Sequence, residues 1–190
     1  MYLLKYIEIM NTECNLLGNP ILKNKAIRID GKGKEKNLKY FLKQDSLKSC
    51  DYLKLKNNHM LFIEFSDLNQ ELKDLEQQEQ QRDLDLNVAG PRPLNVSKKI
   101  FPKSLDALHD GINQKIAETL LLMTIMEQNF YLVNNTKRRK NFLMGICSSS
   151  QSDAQVFDIV SRKIIQKYKN ILHRIVFLPY TEIDAIMTTK

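Results

Sequence analysis

Two stretches in the second half of the chain repeat apolar residues at helical spacing. After Ser104, a good N-cap residue, apolar side chains recur every three or four positions from Leu105 to Met123, which predicts a long helix. The segment "DAQVFDIVSRKIIQKYKN" predicts a second helix, and the short apolar runs "NFLMGI" and "RIVFL" predict strands before and after it. This strand–helix–strand order favours a parallel pairing of the two strands.

The first half of the chain is dominated by shorter apolar segments. The stretch "MYLLKYIEIMNTECNLL" suits a helix or a strand, and we favour a helix, whereas "AIRIDGKGKEKNLKYFLKQ" predicts two strands around a Gly-Lys-Gly turn. Residues 68–103 combine an acidic, glutamine-rich amphipathic helix with a proline-containing loop, which we interpret as an insertion in a single domain of residues 1–190. The predicted fold class is α/β, with a mixed central β-sheet flanked by helices.

The segment "SCDYLKLKNNHMLFIEFSDL" predicts a β-hairpin with its turn at Asn57 and Asn58, because asparagine tolerates the positive φ of tight hairpin turns. Counting outward from this turn pairs Lys56 with His59 and, at the far end, Asp51 with Glu64. Alternation places both acids on the apolar face of the hairpin.

Two carboxylates in directly opposed positions of neighbouring strands repel each other. A divalent cation between them would compensate, since Mg²⁺ is commonly bound by one or two carboxylates together with a substrate phosphate. A proton shared by the two acids is a second remedy. The third possibility is that the strand ends fray, both carboxylates reach water and nothing binds there.

The pieces "CDYLKL" and "FIEFS", followed by helix, strand, helix and strand, resemble the restriction-endonuclease-like superfamily with its PD-(D/E)xK motif. The resemblance implies a nuclease fold over roughly Lys39 to Tyr180, with Asp51 and Glu64 as catalytic acids that bind Mg²⁺ or Mn²⁺. Ser66 stands where the motif has its lysine. Members of the family can supply this lysine from another element, and Lys115 on the long helix is the candidate here, although a solvated surface lysine is the plainer interpretation.

Charge adds a second candidate region. The net charge is +7, which favours anionic partners, and the run Lys137, Arg138, Arg139 and Lys140 is a candidate nucleic-acid-binding segment. From Leu61 to Gly90 eight acids stand against two bases, and the acidic part at 68–90 is a possible docking segment for a partner protein. Three cysteines without metal-ligand spacing and the absence of a long apolar run favour a cytoplasmic protein without a membrane anchor.

Three functional hypotheses follow from these features. The first is a metal-dependent nuclease acting on nucleic acid, with DNA the expected substrate; the resemblance makes restriction, repair or defence against phage a natural setting. The second is a catalytically silent module of the same fold that binds nucleic acid or a partner protein. The third is an interaction protein with no role in nucleic-acid biology.

The basic run generates one prediction from sequence alone. Replacing Lys137 and Arg138 together by alanine should weaken nucleic-acid binding equally for all sequences and flatten its salt dependence, because such residues contact phosphates rather than bases. Titration of labelled oligonucleotides of different sequence at several salt concentrations measures both effects. Unchanged affinity would remove this segment from the interface.

Overall fold

A six-stranded mixed β-sheet forms the centre of the computed structural model, which describes residues 6–12, 21–30, 37–87, 97–130, 138–147 and 151–188. The strands are β1 (Ile7–Asn11), β2 (Ile21–Arg28), β3 (Tyr52–Lys56), β4 (His59–Ser66), β5 (Arg139–Ile146) and β6 (Arg174–Pro179). The helices are α1 (Leu38–Phe41), α2 (Leu68–Asn87), α3 (Ser97–Phe130), α4 (Gln151–Tyr168) and α5 (Tyr180–Thr188).

The strands lie in the sheet in their order along the chain. The first four form an antiparallel meander, whereas β4, β5 and β6 run parallel. Helices α2 and α3 lie in the connection from β4 to β5, and α4 lies in the connection from β5 to β6. Parallel neighbours require such crossovers, since a tight turn can only join antiparallel strands. The prediction of a mixed sheet flanked by helices is therefore confirmed.

Helices cover both faces of the sheet and bury two separate cores. On one face, apolar residues of α3 and α4 pack against alternate residues of the strands, among them Leu53, Phe62 and Phe142. On the other face, Ile183 and Met187 of α5 pack against the intervening strand residues, such as Ile63 and Leu143. None of the helices in the described part of the chain combines the length and apolar character needed to span a bilayer.

The β3–β4 hairpin follows the predicted register from Lys56 opposite His59 to Tyr52 opposite Ile63. Asn57 adopts a positive φ of 49°, the conformation for which an asparagine is suited at a tight turn. Because this register assigns every side chain of the hairpin to one face or the other, it also determines which face of the sheet Glu64 occupies.

Three predictions about local structure were wrong. Residues 7–11 form a strand rather than a helix, since pairing with β2 outweighs a weak helical pattern. Residues 38–41 form a short helix whose first turn is capped by the Asn37 side chain, at 2.8 Å from the Tyr40 amide. The long helix begins at Ser97, seven residues before Ser104, and includes Pro102. After β6 the chain forms helix α5, for which the sequence pattern predicts no element.

The predicted acidic segment is a 20-residue helix, α2, and the predicted loop after it is helical from residue 97 onward. Residues 88–96 lie outside the described residues. That residues 68–103 are an insertion stays a prediction.

Two glycines give a matched pair of stability predictions. A Cβ at Gly145 in β5 would lie 2.7 Å from the ring of Phe65 and 3.2 Å from Ile183, whereas a Cβ at Gly111 in α3 meets nothing within 4 Å. We expect Gly145→Ala to lower the free energy of unfolding by about 1–3 kcal/mol through overpacking. Gly111→Ala should raise it by roughly 0.5–1 kcal/mol, because alanine restricts the unfolded chain and favours the helix.

Urea denaturation of both variants measures these changes. Equal effects of the two substitutions would show that the α5 side of β5 is less tightly packed than described.

Candidate functional site

The hairpin places Asp51 immediately before β3 and Glu64 near the end of β4. Asp51 is tied to both neighbouring strands. Its carboxylate Oδ2 accepts a hydrogen bond from the Phe65 amide at 2.8 Å, and its carbonyl oxygen accepts one from the Ile29 amide at 2.8 Å. The carboxylate therefore lies beside the residue that follows Glu64, which is where the hairpin register predicts it.

Glu64 is the one buried acid among the described residues, with 1% of its surface exposed. Its Oε2 atom has no hydrogen-bond partner within the described part of the chain. Burial, and then the negative charge of Asp51, raise the pKa of Glu64 to about 8, although Lys115 opposes the shift. A buried carboxylate with an unpartnered oxygen is costly, so this atom is positioned to accept a cation or a proton.

Lys115 of α3 forms an ion pair with Oε1 of Glu64 through its Nζ atom. It lies at the margin of the helix face buried on the sheet, beside Ile112 and Ile116 in the core. Burial acts to lower the pKa of Lys115, but the charges of Glu64 and Asp51 outweigh it and raise the pKa. The ammonium group is therefore a fixed positive charge at the site.

The segment before Asp51 is bound directly to α3. The amide of Cys50 donates to Oγ1 of Thr119 at 2.8 Å, and this hydroxyl donates to the Lys115 carbonyl oxygen at 2.6 Å. The Lys48 amide donates to a Glu118 carboxylate oxygen nearby. These bonds hold the helical turn of Lys115 against the strand end that presents the acids.

Ser66, in the position of the motif lysine, donates from its hydroxyl to Oε1 of Glu71 at 2.6 Å. Glu71 also raises the pKa of Glu64, as a weaker contribution than burial and Asp51. Sequence reasoning missed Glu71. The available signal was the capping pattern at Asp67, whose side chain accepts from the Gln70 amide at 3.2 Å and starts α2, so that the first turn carries Glu71 back over the end of β4.

The donor set at this site is made of oxygens. Asp51 and Glu64 offer carboxylates, which suit a hard cation such as Mg²⁺, and the unpartnered Oε2 of Glu64 fits that role. Within the described residues, no group of three His, Cys, Asp or Glu side chains is placed to hold a metal ion. Any divalent cation would thus depend on two carboxylates and on oxygens from water or substrate.

The basic run lies elsewhere. Lys137 is outside the described residues, whereas Arg138, Arg139 and Lys140 stand at the start of β5. Arg139 pairs with His59 and Met144 pairs with Glu64, so the basic end and the acidic end are five residues apart along the strand, about 17 Å. The structure brings Asp51, Glu64 and Lys115 together and does not bring the basic residues to them.

No protein-family model, curated protein or solved structure matches this chain. The resemblance to the restriction-endonuclease-like superfamily and the roles assigned to Asp51, Glu64 and Lys115 therefore stay predictions.

The raised pKa of Glu64 predicts a pH dependence of stability. Because the folded state keeps the Glu64 proton up to about pH 8 and the unfolded chain loses it near 4.3, the folded protein binds more protons between these values. The stability of the wild type relative to Glu64→Gln should therefore fall as pH rises through this window, by up to about 1.4 kcal/mol per pH unit.

Urea unfolding of both proteins in EDTA, from pH 5 to pH 8.5, measures the difference. A difference that stays constant from pH 5 to pH 8.5 would contradict the prediction and show that Glu64 is ionised in the folded protein throughout this range.

Proposed function

We propose that the chain is a nuclease-like protein acting on nucleic acid, with DNA the expected substrate, that hydrolyses phosphodiester bonds with a divalent cation held by Asp51 and Glu64. The observation that carries the proposal is the buried carboxylate of Glu64, which has one oxygen paired with Lys115 and the other without a partner in the described residues. A purely structural residue would gain nothing from this position, because an apolar side chain of similar size avoids the desolvation cost.

The fold supports the same proposal. A hairpin that carries the two acids, followed by helix, strand, helix and strand with parallel pairing, is what the resemblance to restriction-endonuclease-like proteins leads one to expect. The acidic pair lies at one end of the hairpin, beside α3. This agreement concerns fold and placement of the acids, and it leaves the substitution of the motif lysine by Ser66 to be explained.

Lys115 offers that explanation. Its ammonium group reaches the carboxylate of Glu64 from α3, so a cation is present although the strand carries serine. Such a group would orient the attacking water or stabilise charge that develops on the phosphate oxygens. A cation bound by Asp51 and Glu64 would polarise the phosphodiester and make the attacking water more acidic.

A second function is favoured by the contacts of Ser66 and Lys115. The Ser66 hydroxyl donates to Glu71, and Lys115 already contacts one oxygen of Glu64 without any metal. A site whose serine and lysine are engaged in this way suits a catalytically silent module, which would bind nucleic acid or a partner protein as a subunit of a larger complex. Exposed positions of the acidic helix α2, such as Asp74, would then be available to a basic partner.

Cleavage assays separate the two functions. We expect Asp51→Asn and Glu64→Gln to abolish Mg²⁺- or Mn²⁺-dependent cleavage of plasmid, linear DNA or RNA, because each removes half of the cation site. Lys115→Met should lower the cleavage rate about 10²–10³-fold, the usual cost of removing one stabilising donor. Lys163→Met is the matched control, since Lys163 is an exposed lysine paired with Asp106 away from the acids.

Binding without cleavage, in wild type and variants alike, would support the silent module. Cleavage that survives all three substitutions would overturn the assignment of the site. Absence of both binding and cleavage at low salt would leave only a protein–protein role.

A further inference from the structure

The N-terminal ends of the parallel strands, opposite the acidic end of β4, carry a second concentration of charge. Two open cavities, of about 490 and 400 Å³, lie there and share His173 in their walls. Arg138, Arg139, Lys140 and Lys169 line the smaller cavity, and Lys56 and Arg174 line the larger one. Among the residues that the structure describes, no carboxylate lines either cavity.

The sheet register sets the spacing of these cations. Lys56 stands opposite His59 in the hairpin, His59 is aligned with Arg139, and Arg174 follows on the next strand beside Asn141. These basic residues form a row across the strands. Because neighbouring strands are about 4.8 Å apart, the part of this row from β4 to β6 is roughly 10 Å long. That length corresponds to about three nucleotides at 3.4 Å each, which is more than a single phosphate ion would need.

Hydrogen bonds of Asn141 hold the residues beneath this row of basic side chains in place. The side-chain nitrogen of Asn141, a buried residue, lies 3.1 Å from Nδ1 of His59 and 3.0 Å from the Arg139 carbonyl oxygen. An amide nitrogen can only donate, so Nδ1 of His59 accepts and its Nε2 carries a hydrogen. The rings of His59 and His173 are 6.0 Å apart, and the His173 amide donates to the Lys140 carbonyl oxygen at 2.7 Å.

Three of the basic side chains at this edge are exposed, whereas Lys56, Arg138 and Lys140 are partly buried. The Lys56 ammonium group donates to the carbonyl oxygens of Ile186 and Met187, both at 3.2 Å. Arg139, Lys169 and Arg174 are exposed, and none of the three forms an ion pair with a described residue. Other surface bases of the chain do form such pairs, for example Arg162 with Asp158 and Lys163 with Asp106. Unpaired cations gathered on one edge are the electrostatic footprint of a phosphate backbone.

We propose that this edge, formed by Lys56, Arg138, Arg139, Lys140, Lys169 and Arg174 around the two histidines, binds the phosphate backbone of a nucleic-acid strand. The proposal shares its nucleic-acid partner with the proposed function but is independent of hydrolysis and of any metal. It assigns the strand to the edge of the sheet remote from Asp51 and Glu64, so that binding and cleavage fail separately.

The test compares two triple variants with equal loss of charge. Arg139→Ala/Lys169→Ala/Arg174→Ala removes one exposed cation each from β5, from the residue after α4 and from β6. Arg162→Ala/Lys163→Ala/Lys167→Ala removes three exposed cations from α4, whose surface contacts contribute little to stability. Anisotropy of labelled 20-nucleotide single strands and duplexes, in EDTA and at several salt concentrations, gives affinity and salt slope, and thermal melting checks the fold.

We expect the row variant to lose at least tenfold in affinity and to reduce the salt slope by about 2, since each lost phosphate contact lowers it by roughly 0.7–0.9. The α4 variant should lose less than threefold in affinity. Equal losses in the two triple variants, wild-type affinity in the row variant, or tripolyphosphate competing as well as an equal concentration of strand phosphate would each overturn the proposal. Strand binding by the wild type without any cleavage in Mg²⁺ or Mn²⁺ would overturn the proposed nuclease function and support this proposal.

Discussion

The ion pair between Glu64 and Lys115 joins the longest helix to the central strand at the point where a charge is most costly to bury. Removing a carboxylate from water costs several kcal/mol even after relaxation, and here the Asp51 charge adds to that cost. Lys115 offsets only part of it, because the second carboxylate oxygen has no partner in the described residues. A buried ion pair of this kind contributes little net stability. Its main effect is to hold the Lys115 ammonium group beside the carboxylate of Glu64.

This constraint explains the arrangement of the surrounding backbone. The segment 48–50 is bound to α3 through Glu118 and Thr119, and Asp51 is bound to β4 through the Phe65 amide. Both sets of bonds end within a few residues of the ion pair. The helix therefore cannot shift along the sheet without breaking them, and the distance between the ammonium group and the two acids is set by the fold rather than by flexible side chains alone.

The parts of the fold that the sequence predicts are those in which local chemistry and burial agree. The β3–β4 register follows from one asparagine turn and strict alternation, and both features belong to the same short segment. The prediction of a helix at residues 7–11 was wrong because their apolar pattern fits a helix as well as a strand. Pairing with β2, whose partner residues lie 10 to 20 positions further along the chain, decides for the strand. Glu71 was missed because it joins the site through a helix start, which no periodicity marks.

The separation of the acidic site from the basic edge limits what one nucleic-acid strand can contact at once. Glu64 faces the core under α3, whereas His59 and Leu61 line the cavity on the α5 side. The acidic site and the larger cavity therefore differ in both strand end and sheet face, whereas the basic edge as a whole differs from the acidic site in strand end. A strand held at the basic edge would have to pass around the end of the sheet to reach the acids, so binding at that edge would anchor a nucleic acid without presenting a phosphodiester to Glu64.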